Sequence, residues 1–179
     1  MNHAFMIFLG LIWVTNELLA NGEPFQKIYD VATNVRCRNC HVLDDTPKQF
    51  DHQEPHIMNV KGKIRNLGQA CTSCHQSKNG LEPYRPPGAP DWDLPPPKMA
   101  ILPATTPAQL CRQWKDPALN GDRSLEQLLH HSKTDALIRW TWNPGPGRTP
   151  SPGTHADFVK DVGLWIAAGA PCPEDARED

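Results

Sequence analysis

Residues 37–41, Cys-Arg-Asn-Cys-His, and residues 71–75, Cys-Thr-Ser-Cys-His, are two copies of one pattern, C-x-x-C-H. Two thiols three positions apart can reach the two vinyl groups of one haem, and the histidine that follows is then placed to ligate the iron from the proximal side. Three other readings use the same cysteines: four thiolates around one tetrahedral zinc, a thioredoxin-like dithiol, or plain disulfides. Histidine supplies 8 of 179 residues, so its presence after both pairs by chance has a probability of about 0.2%. That coincidence favours two covalent haem c groups, attached at Cys37, Cys40, Cys71 and Cys74 and ligated by His41 and His75. Only 29 residues separate His41 from Cys71, too few to complete a haem-binding domain before the second haem begins. The haems are therefore expected to share one core and to lie close, which suits a short relay of electrons.

The rest of the chain bounds this reading. A length of 179 residues corresponds to one domain or little more. Proline occurs 19 times against an average of about 5%, which excludes a long helical bundle or coiled coil. The net charge of -2 leaves no basic surplus to argue for nucleic acid as a partner. Ala4 to Val14 form an apolar run of the length of a signal-peptide core, short of the roughly 20 residues that span a bilayer. Cleavage after Gly22, or after Ala20, would leave a domain at residues 23–173 and an acidic tail at 174–179, exported to the periplasm with no membrane span. The segment before the run lacks Lys and Arg, so an interfacial anchor and a buried N-terminal helix remain open.

Phe25, Ile28, Tyr29 and Ala32 repeat at i, i+3, i+4 and i+7, the pattern of a helix leading to the first motif. Thr106 before Pro107, Ser124 with Gln127, and Thr154 with Asp157 mark three further helix starts, the last running to about Gly169. Glu82 to Pro97 is too rich in proline for a helix or inner strand and reads as a linker or wrapping loop. No alternating run is long enough to predict a sheet. The expected class is mostly α with extensive coil: a small multihaem cytochrome c-like domain with proline-rich loops. In an exported protein Cys111 and Cys172 would pair as a disulfide, worth up to about 4–5 kcal/mol in the chain-entropy account; two buried thiols are the alternative.

An electron-transfer haem needs a second axial ligand, commonly His or Met. The pool is His52, His56, Met58, Met99, His130, His131 and His155. His56 lies between the attachment motifs beside Pro55, Met99 follows three prolines and a lysine, and His131 sits near a helix end. On a wheel of about 100° per residue His155 falls centrally among Phe158, Val159, Val162 and Ile166, so burial would oblige it to find a partner such as iron. Arg148, in the turn after Trp140 and Trp142, is a candidate for a haem propionate; an ordinary surface arginine is the plain alternative. The tryptophans would pack on porphyrin or in the core, and Lys61, Lys63 and Arg65 would form a solvated loop or dock an acidic partner.

Several stretches, FQKIYDVATNVRCRNCH, PHIMNVKG, CTSCHQSKN, LPPPKMA, LCRQWKDPALNGDRSL, WTWNPGPGRTPSPGTHADFV and GAPCP, together resemble a family of small exported di-haem c-type cytochromes labelled as the isoquinoline 1-oxidoreductase subunit type. They span most of the mature chain, and the W-x-W-x-P-G-x-G-R-T-P run is the most distinctive. The resemblance implies a periplasmic electron carrier with redox-protein partners, a molybdenum hydroxylase among them, and carries no catalytic residue. His52 and the Asp91-Trp92-Asp93 stretch stand outside it. Two rival classes stay open at this point: a haem enzyme such as a peroxidase with an open distal position, and a structural four-cysteine zinc module.

Overall fold

A computed structural model describes residues 23–62 and 71–175 of the chain. The expected signal segment at 1–22, Lys63 and Arg65, and residues 176–179 of the acidic tail lie outside the described residues. Helix α1 (Glu23–Ala32) lies mainly along the last helix, α7 (His155–Ala167). Phe25 and Ile28 from α1 meet Val162 and Trp165 from α7, all fully buried, with the Phe25 and Trp165 ring centroids 5.2 Å apart. Burying such side chains contributes about 1.5–3 kcal/mol each. Helix α3 (Pro107–Lys115) closes this core with Leu110 and Cys111. A disulfide joins Cys111 to Cys172 across a Cα separation of 5.5 Å, tying α3 to the segment beyond α7.

Local signals set the helix starts. Thr106 accepts from the Gln109 amide at 3.2 Å while the Gln109 side chain accepts from the Thr106 amide at 2.9 Å, a complete capping box. Ser124 and Gln127 repeat it at the head of α5 (Leu125–Thr134), and Thr154 accepts from the Asp157 amide at 3.1 Å at the head of α7. Each satisfies amide donors that the first turn leaves without partners. Helix α7 stops two residues before Gly169, whose φ of +88° suits glycine.

The architecture is thus mostly helix and coil. Short elements depart from the expectation. Strands β1 (Lys48–Gln49) and β2 (Glu54–Pro55) pair antiparallel between the two cysteine motifs, Lys48 opposite Pro55 and Gln49 opposite Glu54. Two residues per strand are too few for alternation to register. Helices α2 (Val35–Arg38), α4 (Pro117–Asn120) and α6 (Ala136–Trp140) are single turns, and α4 and α6 start on the side chains of Asp116 and Asp135. Glu82 to Pro97 wraps rather than links, and its stretch Asp91 to Pro96 forms part of a cavity wall. Among the described residues no helix is long and apolar enough to cross a membrane.

Candidate functional site

Asn34 caps α2 by accepting from the Arg36 amide at 2.9 Å, and the turn continues through the first motif. The amides of Cys40 and His41 both donate to the Cys37 carbonyl, at 3.1 and 3.0 Å. Cys37 and Cys40 therefore share one helical face, one turn apart. The second motif repeats the geometry in a 3-10 turn, where Cys74 and His75 donate to the Cys71 carbonyl at 3.2 and 3.0 Å. The motif cysteines remain thiols. Burial pushes Cys37 up to about 12 and Cys40 to about 11, with Arg36 pulling both down and Cys71 adding to the rise at Cys40. Neither is a thiolate at neutral pH, unlike the low-pKa thiols of dithiol redox sites. The Cys71 contribution places the second motif within electrostatic reach of the first. Among the described residues no group of three or more His, Cys, Asp or Glu is arranged to hold a metal ion.

Cys37, Cys40 and His41 open on a cavity of about 570 Å3, within the range of about 300–1,000 Å3 usual for cofactor sites. Val31, Ile101, Leu128, Trp114 and Phe158 make much of its wall apolar. The Nδ1 of His41 lies 2.7 Å from the Met99 carbonyl. A carbonyl only accepts, so Nδ1 carries the proton and the Nε2 lone pair is left for a metal. His131, from α5, lines the same cavity and its charge is felt at His41. Its Nδ1 stands 3.4 Å from the Asp135 carboxylate, close enough for an ion pair. Burial holds both imidazoles below the ordinary histidine value, hence neutral and able to ligate at pH 7. Arg36 also lines the cavity. Its side chain is 2% exposed and ion-paired with Asp51, yet Nε has no hydrogen-bond partner. Such a donor is costly to bury alone and suits an anionic group in the cavity. Two thiols one turn apart, the His41 imidazole with Nε2 available, the His131 imidazole on the same wall, apolar walls and a buried guanidinium nitrogen form a set that could hold a haem with its propionates.

At the second motif His75 Nδ1 donates to the Pro87 carbonyl at 2.8 Å, again leaving Nε2. The indole of Trp92 stacks on its ring, and the His56 ring stands on it at a centroid distance of 6.1 Å. His56 donates its own Nδ1 proton to the Ile57 carbonyl at 2.8 Å. Burial lowers His75, with His56 and Arg148 acting in the same direction against the Pro87 hydrogen bond.

Other candidates take different places. His155 Nε2 donates to the Ser132 carbonyl at 2.8 Å, and its ring lies 5.2 Å from Trp142. The residues that α7 buries are Phe158, Val162 and Trp165, so the true face centre is displaced by about 50° from His155 at 100° per residue. The helix presents to α1 the side that fits Phe25 and Ile28, and the histidine is left at the rim, tied to α5. Arg148 donates to the carbonyls of Pro144, Pro146 and Arg85, pinning the glycine and proline turn. Arg36 is the guanidinium that the cavity wall holds instead. Met99 has its main chain behind His41, with its sulfur near Gly121. His52 is exposed, paired with Glu54 at 2.9 Å and stacked on Phe50. Met58 is 85% exposed. Trp165 is core, while Trp92, Trp114, Trp140 and Trp142 line the cavity.

The sequence reading passed over Arg36 and Asp135, and gave Trp92 only the general role of packing on porphyrin or in the core. Asp135 stands four residues after His131, a spacing that predicts contact on a helix. Nothing local marks Arg36 as buried or brings Trp92 to His75. The chain matches no protein-family model, no curated protein and no solved structure.

Proposed function

We propose that the chain is a periplasmic di-haem c-type cytochrome that carries electrons between a dehydrogenase and a downstream acceptor. The observation that carries this reading is the cavity whose wall holds Cys37, Cys40 and His41 from one part of the chain and His131 from another. Haem, when attached, supplies a one-electron iron couple whose potential the protein tunes through ligands, burial and hydrogen bonds. The residues supply everything else. Cys37 with Cys40, and Cys71 with Cys74, present thiols for attachment; His41 and His75 offer Nε2 while the Met99 and Pro87 carbonyls keep the proton on Nδ1. The buried Arg36 Nε–H would serve a haem propionate, and the apolar walls would keep the group dry.

Two features favour relay over storage. Cys71 acts electrostatically on Cys40, and Trp92 belongs both to the first cavity wall and to the surroundings of His75. The family resemblance makes a molybdenum hydroxylase a candidate donor, and the apolar run at residues 4–14 supports export. The test is export of the full chain in a host that matures c-type cytochromes. The expected intact mass is the mature polypeptide plus two haems, and the reduced protein is reoxidised faster by a redox protein than by peroxide or oxygen. One haem or none overturns the reading, and rapid peroxide turnover with a small donor makes the protein a peroxidase instead.

A further inference from the structure

We infer that His56 is the second axial ligand of the iron carried at Cys71 and Cys74, opposite His75; this rests on the di-haem reading above. A metal bonded to one nitrogen of each of two opposed imidazoles at about 2.0–2.1 Å, each ring centre about 1.1–1.2 Å behind its nitrogen, spaces the centroids about 6.2–6.6 Å apart. The His56 and His75 centroids are 6.1 Å apart, and their planes are inclined by 57°. Both rings donate Nδ1–H to a carbonyl, Ile57 for His56 and Pro87 for His75, so each keeps an Nε2 lone pair. Four of the other candidates are engaged elsewhere: His131 with Asp135 in the first cavity, Met99 behind His41, His155 with Ser132, and His52 with Glu54; Met58 is 85% exposed. Pro55 ends β2 immediately before His56, and the β1–β2 pair anchors it: the His56 amide donates to the Pro47 carbonyl at 2.9 Å. The short hairpin between the motifs thus positions a ligand for the second one.

The experiment uses the exported, haem-bearing full chain as wild type, His56→Ala and His56→Met. Intact mass comes first, and fewer than two haems on the wild type overturns the di-haem reading and this assignment with it. With two haems present on His56→Ala, the low-spin electron paramagnetic resonance signal is expected to fall by half, with a matching high-spin signal that added imidazole converts back. His56→Met is expected to stay low-spin and to gain the near-infrared charge-transfer band of methionine ligation. Both haems low-spin and unchanged in His56→Ala overturns the assignment while leaving the di-haem reading intact. Should His56→Ala fail to accumulate, the wild-type near-infrared spectrum decides: bis-imidazole bands from the second haem support His56, and a methionine band or a high-spin haem overturns it.

Discussion

The indole of Trp92 lies flat on the imidazole of His75, centroids 4.2 Å apart and planes 7° from parallel. The stack is one side of a closed circuit. Trp140 meets Trp92 edge-on at 4.9 Å, and its Nε1 donates to the Asn79 side chain at 3.0 Å. Asn79 also accepts from the Gly88 amide at 3.0 Å, and Pro87, the residue before Gly88, accepts from His75. The orientation of the His75 ring is therefore set by Pro87 and Trp92 directly, backed by Asn79 and Gly88 from the same stretch and by Trp140 from a distant one.

Trp92→Leu removes the stack and part of the first cavity wall together. An aromatic pair of this kind is worth about 0.5–1.5 kcal/mol beyond its buried area, so the urea midpoint is expected to fall accordingly. In the haem-bearing protein, redox titration should show the potentials of both haems moving. A shift confined to one would mean that Trp92 does not serve as a wall common to both sites.

Asp135→Asn separates the two tasks of this residue. Its carboxylate accepts from the amides of Leu137 and Ile138, both at 2.9 Å, and faces His131 at 3.4 Å. Asparagine caps about as well as aspartate, so stability should change by less than about 1 kcal/mol. If His131 ligates haem, loss of the negative charge beside it makes the imidazole less basic, and the potential of one haem is expected to rise. Asp135→Ala should cost about 1 kcal/mol more through the lost cap, which chemical denaturation measures.

Gly88→Ala tests the second site by sterics. A Cβ at Gly88 would stand 2.1 Å from the Lys78 carbonyl oxygen and 2.5 Å from that of Gln76, both main-chain atoms. The loop must shift, and with it the Pro87 carbonyl that holds His75. The expected result is a protein that retains both haems by mass, with one altered low-spin spectrum and a stability loss of about 1–3 kcal/mol from overpacking.

Acid should weaken the haem-free chain in the histidine range. Burial lowers His41, His75 and His131 below the usual 6.5. The unfolded chain then binds protons that the folded chain does not, so stability is full above pH 6.5 and is lost as pH falls from there toward the folded values. Urea midpoints of a chain with the four motif cysteines replaced by alanine should decline between about pH 7 and pH 5. A His41→Gln, His75→Gln double variant of it should decline less steeply. A midpoint flat across that window would show these imidazoles to be solvated.

How much was legible beforehand follows from the reach of each interaction. The caps at Thr106, Ser124 and Thr154 were readable because donor and acceptor lie three residues apart, and no distant part of the chain can change that geometry. The thiol spacing in Cys37–Cys40 and Cys71–Cys74 was readable for the same reason. His155 was misplaced because a helical wheel ranks a face by its apolar residues, whereas the face that buries is the one whose shape fits its neighbour, here Phe158, Val162 and Trp165 against Phe25.

By itself the sequence determined the two Cys-x-x-Cys-His turns, the starts of α3, α5 and α7, the mostly helical class and the candidate pair Cys111 and Cys172. These are short-range hydrogen bonds, turn chemistry and counting. The tertiary structure alone decided that Arg36 is buried at a cavity wall, that His131 shares that cavity with His41, that Trp92 stacks on His75, and that His56 stands across from it. Those pairings join residues 17 or more positions apart or hang on which side of a helix is packed, and only the closing of the core selects them.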